Sequence, residues 1–470
     1  MSYLPVIGLE LHIQMKTKSK MFSSAPVSFG KAPNTSVAPL DIAFPGTLPL
    51  INKQAVINGI RVSHALHMRI DNELWFDRKN YFYSDLPKGY QITQEKRPLG
   101  RDGYLIINGK KIGIERLHLE EDTAKQLHFK DHSLLDYNRA GIPLLEIVTT
   151  PTLNSGIEAM KFVEEIRSIV TFLDVSDGKM EEGSLRCDVN VSLKRDDDDS
   201  FGTKVEIKNI NTLNNIARAI NYEIDRQTAL LDKGEIVAQE TRRYDEGSKR
   251  TISMRIKIDS VDYKPFFEPN LLPIKLTDDF IDKAIKTSPE LASQKKDRYL
   301  ALGLNKYNCS LLLNNKETSD YFDQTILSGA NPVLVANWIN VDIQTILKKN
   351  DMRISDFPVK PNDLGKLIKL IEEDKVSNRQ ARTIFIKMIS GNDSLESIIE
   401  MVGISLISEE KTLLNLINEV LNEHPQLIID FKNGKNRVIG FVVGQIMKKT
   451  DGKASPSLTN KLVRQELERR

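Results

Sequence analysis

The stretch Val6-Ile7-Gly8-Leu9-Glu10-Leu11-His12-Ile13 sets the reading of the whole chain. Side chains on a β-strand alternate between two faces, so residues i and i+2 share one. Leu9 and Leu11 point one way and Glu10 and His12 the other, which predicts a half-buried strand with a polar face. The pattern recurs downstream. Cys187-Asp188-Val189-Asn190-Val191-Ser192 sets Asp188, Asn190 and Ser192 against an apolar face. Lys204-Val205-Glu206-Ile207-Lys208 groups Lys204, Glu206 and Lys208, and Leu117–Asp122 groups His118 with Glu120 before ending in the acidic run Glu120-Glu121-Asp122. Strands are therefore expected at Val6–Ile13, Tyr104–Ile107, Ile112–Leu119, Arg186–Leu193 and Lys204–Lys208.

If these strands belong to one sheet, a single face collects carboxylates, one or two histidines and several lysines. That mixture suits a hard cation together with phosphates. Magnesium takes oxygen ligands, a few from carboxylates and the rest from water and substrate. Lysines offset charge on a phosphoryl group in transfer. Zinc would call for more His or Cys.

The rest of the chain divides around this pattern. At 470 residues it has room for about three domains. Two helices interrupt the strand-rich half. One covers about 155–173, with Ile157, Met160, Val163, Ile166 and Ile169 at three-residue steps. The other covers about 212–233, with Asn211 as its cap and Gly234 after its end. The acidic run Asp196–Asp199 reads as a solvated loop. Pro265, Pro269 and Pro273 predict an irregular stretch. Helical segments follow at Asp278–Lys286, Ser319–Leu327, Asn331–Lys348 and Pro361–Glu373, and a last helical module starts near 403. Its end is basic: residues 431–470 carry ten Lys/Arg against three acids, although the whole chain is only +2. Such a segment is compatible with a polyanion.

Several classes are excluded. The two cysteines, Cys187 and Cys309, form no C-x-x-C pair, so a disulfide framework and a zinc–cysteine site are not expected. There is no G-x-x-x-x-G-K-[ST], so nucleotide binding through a P-loop is out, and H-E-x-x-H, G-x-S-x-G and G-x-G-x-x-G are missing too. No run of about 18 apolar residues suggests a membrane span. No leader pattern opens the chain, and the cytoplasm is the expected compartment. The stretch Arg78–Tyr90 interleaves aromatics with bases; it suits either stacking on nucleobases or a packed aromatic cluster beside a turn.

Longer strings carry a resemblance. VIGLELH (Val6–His12), DRKNYFYSDLPKGYQIT (Asp77–Thr93), RLHLEEDTAK (Arg116–Lys125), NRAGIPLLEIVTTP (Asn138–Pro151), KMEEGSLRCDVNVSL (Lys179–Leu193), FGTKVEIKNIN (Phe201–Asn211), QETRRYDE (Gln239–Glu246), GFVVGQIMK (Gly440–Lys448) and NKLVRQEL (Asn460–Leu467) occur in order along nearly the whole chain. In these it resembles the B subunits of the aspartyl/glutamyl-tRNA amidotransferases. The resemblance implies an α+β fold: a catalytic cradle domain built on a mainly antiparallel sheet (1–288), an all-α helical domain (289–402) and a small helical tail (403–470). It implies ATP and Mg²⁺ as cofactors and a misacylated tRNA as partner. It also implies a heterotrimer completed by an amidase, its A subunit, and by a small third protein, its C subunit. The side-chain carboxylate of Glu on tRNA(Gln), or Asp on tRNA(Asn), would be phosphorylated and then amidated by ammonia from the amidase. A chain that only presents its tRNA is the rival reading.

Carried over by motif, the implied metal and catalytic set is Glu10, His12, Glu121, Asp188 and Glu206. Strand alternation favours Glu120 over Glu121, unless a bulge re-aims the strand end. Lys79, Arg186 and Lys204 are the expected phosphate contacts, and Arg437, Lys448, Lys449 and Lys461 the expected tRNA contacts in the tail. At Asp262–Asn270 the chain departs from the family's aromatic–proline pattern, so no role is assigned there. The cysteines of a zinc site found in some relatives are missing, so no zinc is expected.

Overall fold

A computed structural model describes residues 3–195, 200–256, 263–391, 393–402, 410–450 and 454–470. The Asp196–Asp199 loop and the start of the 262–270 stretch fall outside them. The chain separates into two compact units, Met1–Ala292 and Ser293–Arg470.

The first unit is built on a nine-stranded sheet. In chain order its strands are β1 (Tyr3–Gln14), β2 (Arg69–Ile70), β3 (Gly100–Ile107), β4 (Lys110–Glu121), β5 (Pro143–Thr149), β6 (Leu185–Arg195), β7 (Val205–Lys208), β8 (Glu240–Asp245) and β9 (Arg250–Ile256). Their spatial order is β9-β8-β7-β6-β1-β5-β4-β3-β2. All neighbours run antiparallel except β7 and β8. All five expected strands are present. The short β2 and the longer β5, β8 and β9 were not anticipated. In β5 (Pro-Leu-Leu-Glu-Ile-Val-Thr) every residue is buried, so a period of two has nothing to display.

Three helices close one face of the sheet: α1 (Lys53–Ala65), α2 (Gly156–Phe172) and α3 (Leu213–Asp232). Ala159, Phe162, Val163, Ile166 and Val170 of α2 share one apolar core with Leu9, Leu11, Leu117, Leu119, Ile147, Val189 and Val191 of the sheet. Burying side chains of this size contributes about 1.5–3 kcal/mol each. Each helix starts at a polar cap. Asn52 accepts from the amides of Gln54 and Ala55, Ser155 from that of Glu158, and Thr212 from that of Asn215. The cap of α3 is thus Thr212 rather than the expected Asn211, and Gly234 follows the helix with φ +76° as expected. With its apolar face covered, the sheet turns its other face, with Glu10 and His12, away from the core.

Smaller strands line the rim. Asp77–Asn80 pairs with Tyr90–Thr93 and with Phe266–Phe267, and Glu73–Leu74 pairs with Ile274–Lys275. The proline-rich stretch is therefore not wholly irregular. Phe266–Phe267 fits between Pro265 and Pro269, and Ile274–Lys275 follows Pro273, so neither two-residue strand contains a proline.

The second unit is helical among its described residues. Its apolar residues form two clusters, one from Tyr299 to Ile398 and one from Leu413 to Leu467. The expected boundary near 403 falls in the segment 403–409, outside the described residues. The helix expected at Asn331–Lys348 is present but changes pitch: Pro332–Asn337 and Gln344–Lys349 are α-helical and Trp338–Ile343 is a π-helical turn. Among the described residues, no helix is long and apolar enough to cross a membrane.

Candidate active site

Strand register brings the polar residues together. On β1, Glu10 stands opposite Asp188 of β6, and His12 opposite Arg186 of β6 and Glu146 of β5. Glu146 in turn faces His118 of β4, and Glu206 of β7 faces Asn190 of β6. Two groups result. The ligand atoms of His12, Glu120 and Glu146 lie within 4.8 Å of one another, and so do those of Glu10, Asp188 and Glu206.

In the first group, His12 Nε2 is 3.4 Å from Glu146 Oε2 and 3.8 Å from Glu120 Oε1. Buried His118 sits behind them, its Nε2 3.3 Å from Glu146 and 3.6 Å from Glu120. Burial works against the His118 imidazolium, but the charges of Glu146 and Glu120 and its hydrogen bonds to them prevail and push its pKa up to about 10. His12 follows the same logic: burial opposes its charge, and Glu146 and Glu120 raise its pKa. Burial likewise opposes the Glu146 charge, yet His118 and His12 hold it well below the usual carboxylate range. In the second group, burial pushes Glu10 up, helped by the charges of Glu146, Asp188 and Glu206. Lys208 is bonded to Asp188 and lies 3.0 Å from Glu206. Thr241 Oγ1 donates to the other Glu206 oxygen at 2.9 Å.

Glu10, His12, Asp188 and Glu206 are thus brought together, and Glu121 is not. It points to the opposite side of β4, where it accepts from the Ile92 amide at 3.1 Å and pairs with Lys88. The bulge that would have re-aimed it does exist, but it lies upstream, at Val148/Thr149 opposite Arg116 and Ile114. Beyond it Leu117–Glu121 alternates strictly, so His118 and Glu120 face the site and Glu121 faces away. Glu146 was missed altogether, because the run around it is apolar on both faces. Its one available signal is a lone carboxylate inside a buried strand.

The expected phosphate contacts divide. Arg186 joins the site: its Nη2 is 3.1 Å from Asp122, which also accepts from Gln14 at 2.8 Å. Lys79 lies in the rim strand with its Nζ 5.0 Å from the Tyr263 ring centroid. Lys204 is exposed and precedes β7; Lys208, two residues beyond Glu206, is the lysine that reaches the carboxylates. Within the Arg78–Tyr90 stretch, Arg78 forms a two-pronged pair with buried Glu268 and stacks 4.0 Å over Tyr90. Tyr81 is partly buried, and burial with the nearby charges of Glu120, Asp85 and Glu121 raises its phenol pKa. Phe82 and Tyr83 are exposed. In the tail, Arg437, Lys448 and Lys461 are exposed, whereas Lys449 is held by Glu419 at 2.9 Å and Glu423 at 2.8 Å.

Residues 5–282 match the family model described as the GatB/GatE catalytic domain, and residues 320–467 match the GatB domain model. The chain belongs to this family. It is 43% identical, over the full length of both chains, to the B subunit of the aspartyl/glutamyl-tRNA(Asn/Gln) amidotransferase of Lysinibacillus sphaericus. It is 44% identical, again over both full lengths, to the protein of the same name in Staphylococcus aureus (strain bovine RF122 / ET3-1). The catalytic-domain match spans β1 to α4 (Asp278–Lys286) and so contains every residue of both groups. For a GatB-type domain the donor set suits magnesium. Five carboxylates and one imidazole make an oxygen-rich, hard set, and they are preorganised on rigid strands.

Proposed function

We propose that this chain activates the side-chain carboxylate of glutamate carried on tRNA(Gln), of aspartate carried on tRNA(Asn), or of both. ATP is the phosphoryl donor and Mg²⁺ the metal. An amidase, in the role of the A subunit, and a small protein, in that of the C subunit, complete the complex. The observation that carries this reading is the pair of adjoining carboxylate groups on one sheet face in a chain of this family. His12, Glu120 and Glu146 would hold one ion, and Glu10, Asp188 and Glu206 a second. Bound there, magnesium supplies neutralisation of ATP phosphate charge.

The chain's own residues do the rest. His118, kept protonated between Glu120 and Glu146, fixes the direction of both carboxylates. Arg186 presents a cation at the edge of the first group and is itself held by Asp122. The chemistry balances simply. An oxygen of the substrate carboxylate attacks the γ-phosphorus and ADP leaves. Ammonia then attacks the acyl carbon, and phosphate leaves with that oxygen. One hard acyl substitution becomes two easier steps. Arg437, Lys448 and Lys461 are backbone contacts for the tRNA in this reading; such contacts orient the RNA without selecting its sequence. Lys449, already neutralised by two glutamates, is not among them.

The test uses the purified complex. Glutamyl-tRNA should trigger ATP hydrolysis, and Glu206→Ala should abolish amide formation while sparing glutamine hydrolysis. Full amidation by the variant would leave only the tRNA-presenting reading.

A further inference from the structure

The second group has a cation of its own. Lys208 follows Glu206 by two residues on β7, so both side chains leave the same face. Its ammonium is bonded to Asp188 and is 3.0 Å from Glu206, two of the three carboxylates that could take a metal with Glu10. A surface lysine reaching inward would gain little here. Two carboxylates, Asp188 and Glu206, converge on its ammonium from neighbouring strands. Its side chain remains 38% exposed, against 17% for Asp188 and 12% for Glu206, so it has a solvent side to move toward.

We propose that Lys208 is an internal counter-ion that competes with a divalent cation for the Glu10–Asp188–Glu206 group. An ammonium and a divalent ion cannot use the same oxygens, because like charges repel strongly at these separations. Entry of the ion therefore displaces the ammonium, which then points from the site rim with its charge free. The lysine keeps three clustered carboxylates from repelling one another when no metal is bound. It also weakens the group's affinity for metal, so that this second group fills after the first. The His12–Glu120–Glu146 group is held instead by His118 from behind, and the cation at its edge, Arg186, is paired with Asp122.

This inference rests on the metal-binding reading above, and the experiment separates the two. Mn²⁺ is titrated into the purified full complex without nucleotide, and binding is followed by electron paramagnetic resonance. Asp188→Asn identifies the second class of sites by removing it, and Glu120→Gln does the same for the first. In Lys208→Met the second class should tighten at least tenfold while the first is unchanged. Lys208→Gln, which removes the charge but keeps a donor, should tighten it similarly, and Lys208→Arg should not. If the wild-type complex shows no Mn²⁺ class that Asp188→Asn removes, the metal reading itself fails. If that class exists but is no tighter in whichever neutral variant folds, the competition by Lys208 is overturned and the metal reading stands.

Discussion

Glu146→Gln removes one charge and almost no volume, and its effect follows from the geometry around it. Glu146 is the shared partner of His12 at 3.4 Å and His118 at 3.3 Å. His118 is buried, with a pKa pushed up to about 10. At pH 7 that is about three units in favour of the charged form, or about 4 kcal/mol at 1.36 kcal/mol per unit. Without the Glu146 carboxylate, only Glu120 at 3.6 Å remains, and His118 should shed its proton. The first unit should then lose about 3–4 kcal/mol of stability at pH 7. The pH dependence has a definite sign. A folded pKa raised above its unfolded value gives stability that is complete below about 6.5 and lost as pH rises through about 10. Wild type should therefore weaken between pH 7 and 10, and the variant should be nearly flat there. Only two tryptophans exist, Trp75 in the first unit and Trp338 in the second, so Trp338→Phe leaves a reporter for the first alone. Urea unfolding with chelator present, read by Trp75 fluorescence, gives the difference. A loss below about 1 kcal/mol, or an unchanged slope with pH, would refute the buried imidazolium.

Three further outcomes follow from other contacts. Glu120→Gln should weaken Mn²⁺ binding and reduce amidation at least a hundredfold, while Glu121→Gln should leave Mn²⁺ binding intact; its cost appears as about 3 kcal/mol of stability, because buried Lys88 loses its partner. Phe162→Ala, in the fully buried face of α2, should cost about 3–5 kcal/mol in the same urea assay without changing metal affinity. In the tail, Arg437→Glu and Lys448→Glu should each weaken tRNA binding severalfold and flatten its salt dependence, whereas Lys449→Ala should stay within about twofold of wild type in filter binding at several salt concentrations.

How much the sequence disclosed depended on which face each residue occupied. Glu10, His12, Asp188 and Glu206 lie on strands with one buried and one open face, so alternation exposed them and their register then joined them. Glu146 lies on β5, buried on both sides, where alternation has no signal to give. Glu120 and Glu121 are adjacent in an acidic run, and motif resemblance and strand phase disagreed about them. The structure follows the phase, because the bulge lies before Leu117 and not after Leu119. Lys79 and Lys204 were singled out by motif alone, and a basic residue next to a motif says nothing of where a long side chain ends: Lys79 lies by the Tyr263 ring and Lys204 is exposed. The expected helices were legible from their periodicity, with errors at caps, at the start of the Lys316–Ile326 helix and at the π-helical turn at Trp338–Ile343, whereas α1 (Lys53–Ala65) was not anticipated.

In the proposed reaction an oxygen of the substrate carboxylate becomes bonded to phosphorus on this sheet face. Glutamyl-tRNA(Gln) labelled with ¹⁸O in both side-chain carboxylate oxygens, converted by the complex with ATP and glutamine, tests it directly by mass analysis of the released phosphate. One ¹⁸O should appear in each phosphate for every amide formed, and none should be released by Glu206→Ala. Amide formed with phosphate free of label would contradict it.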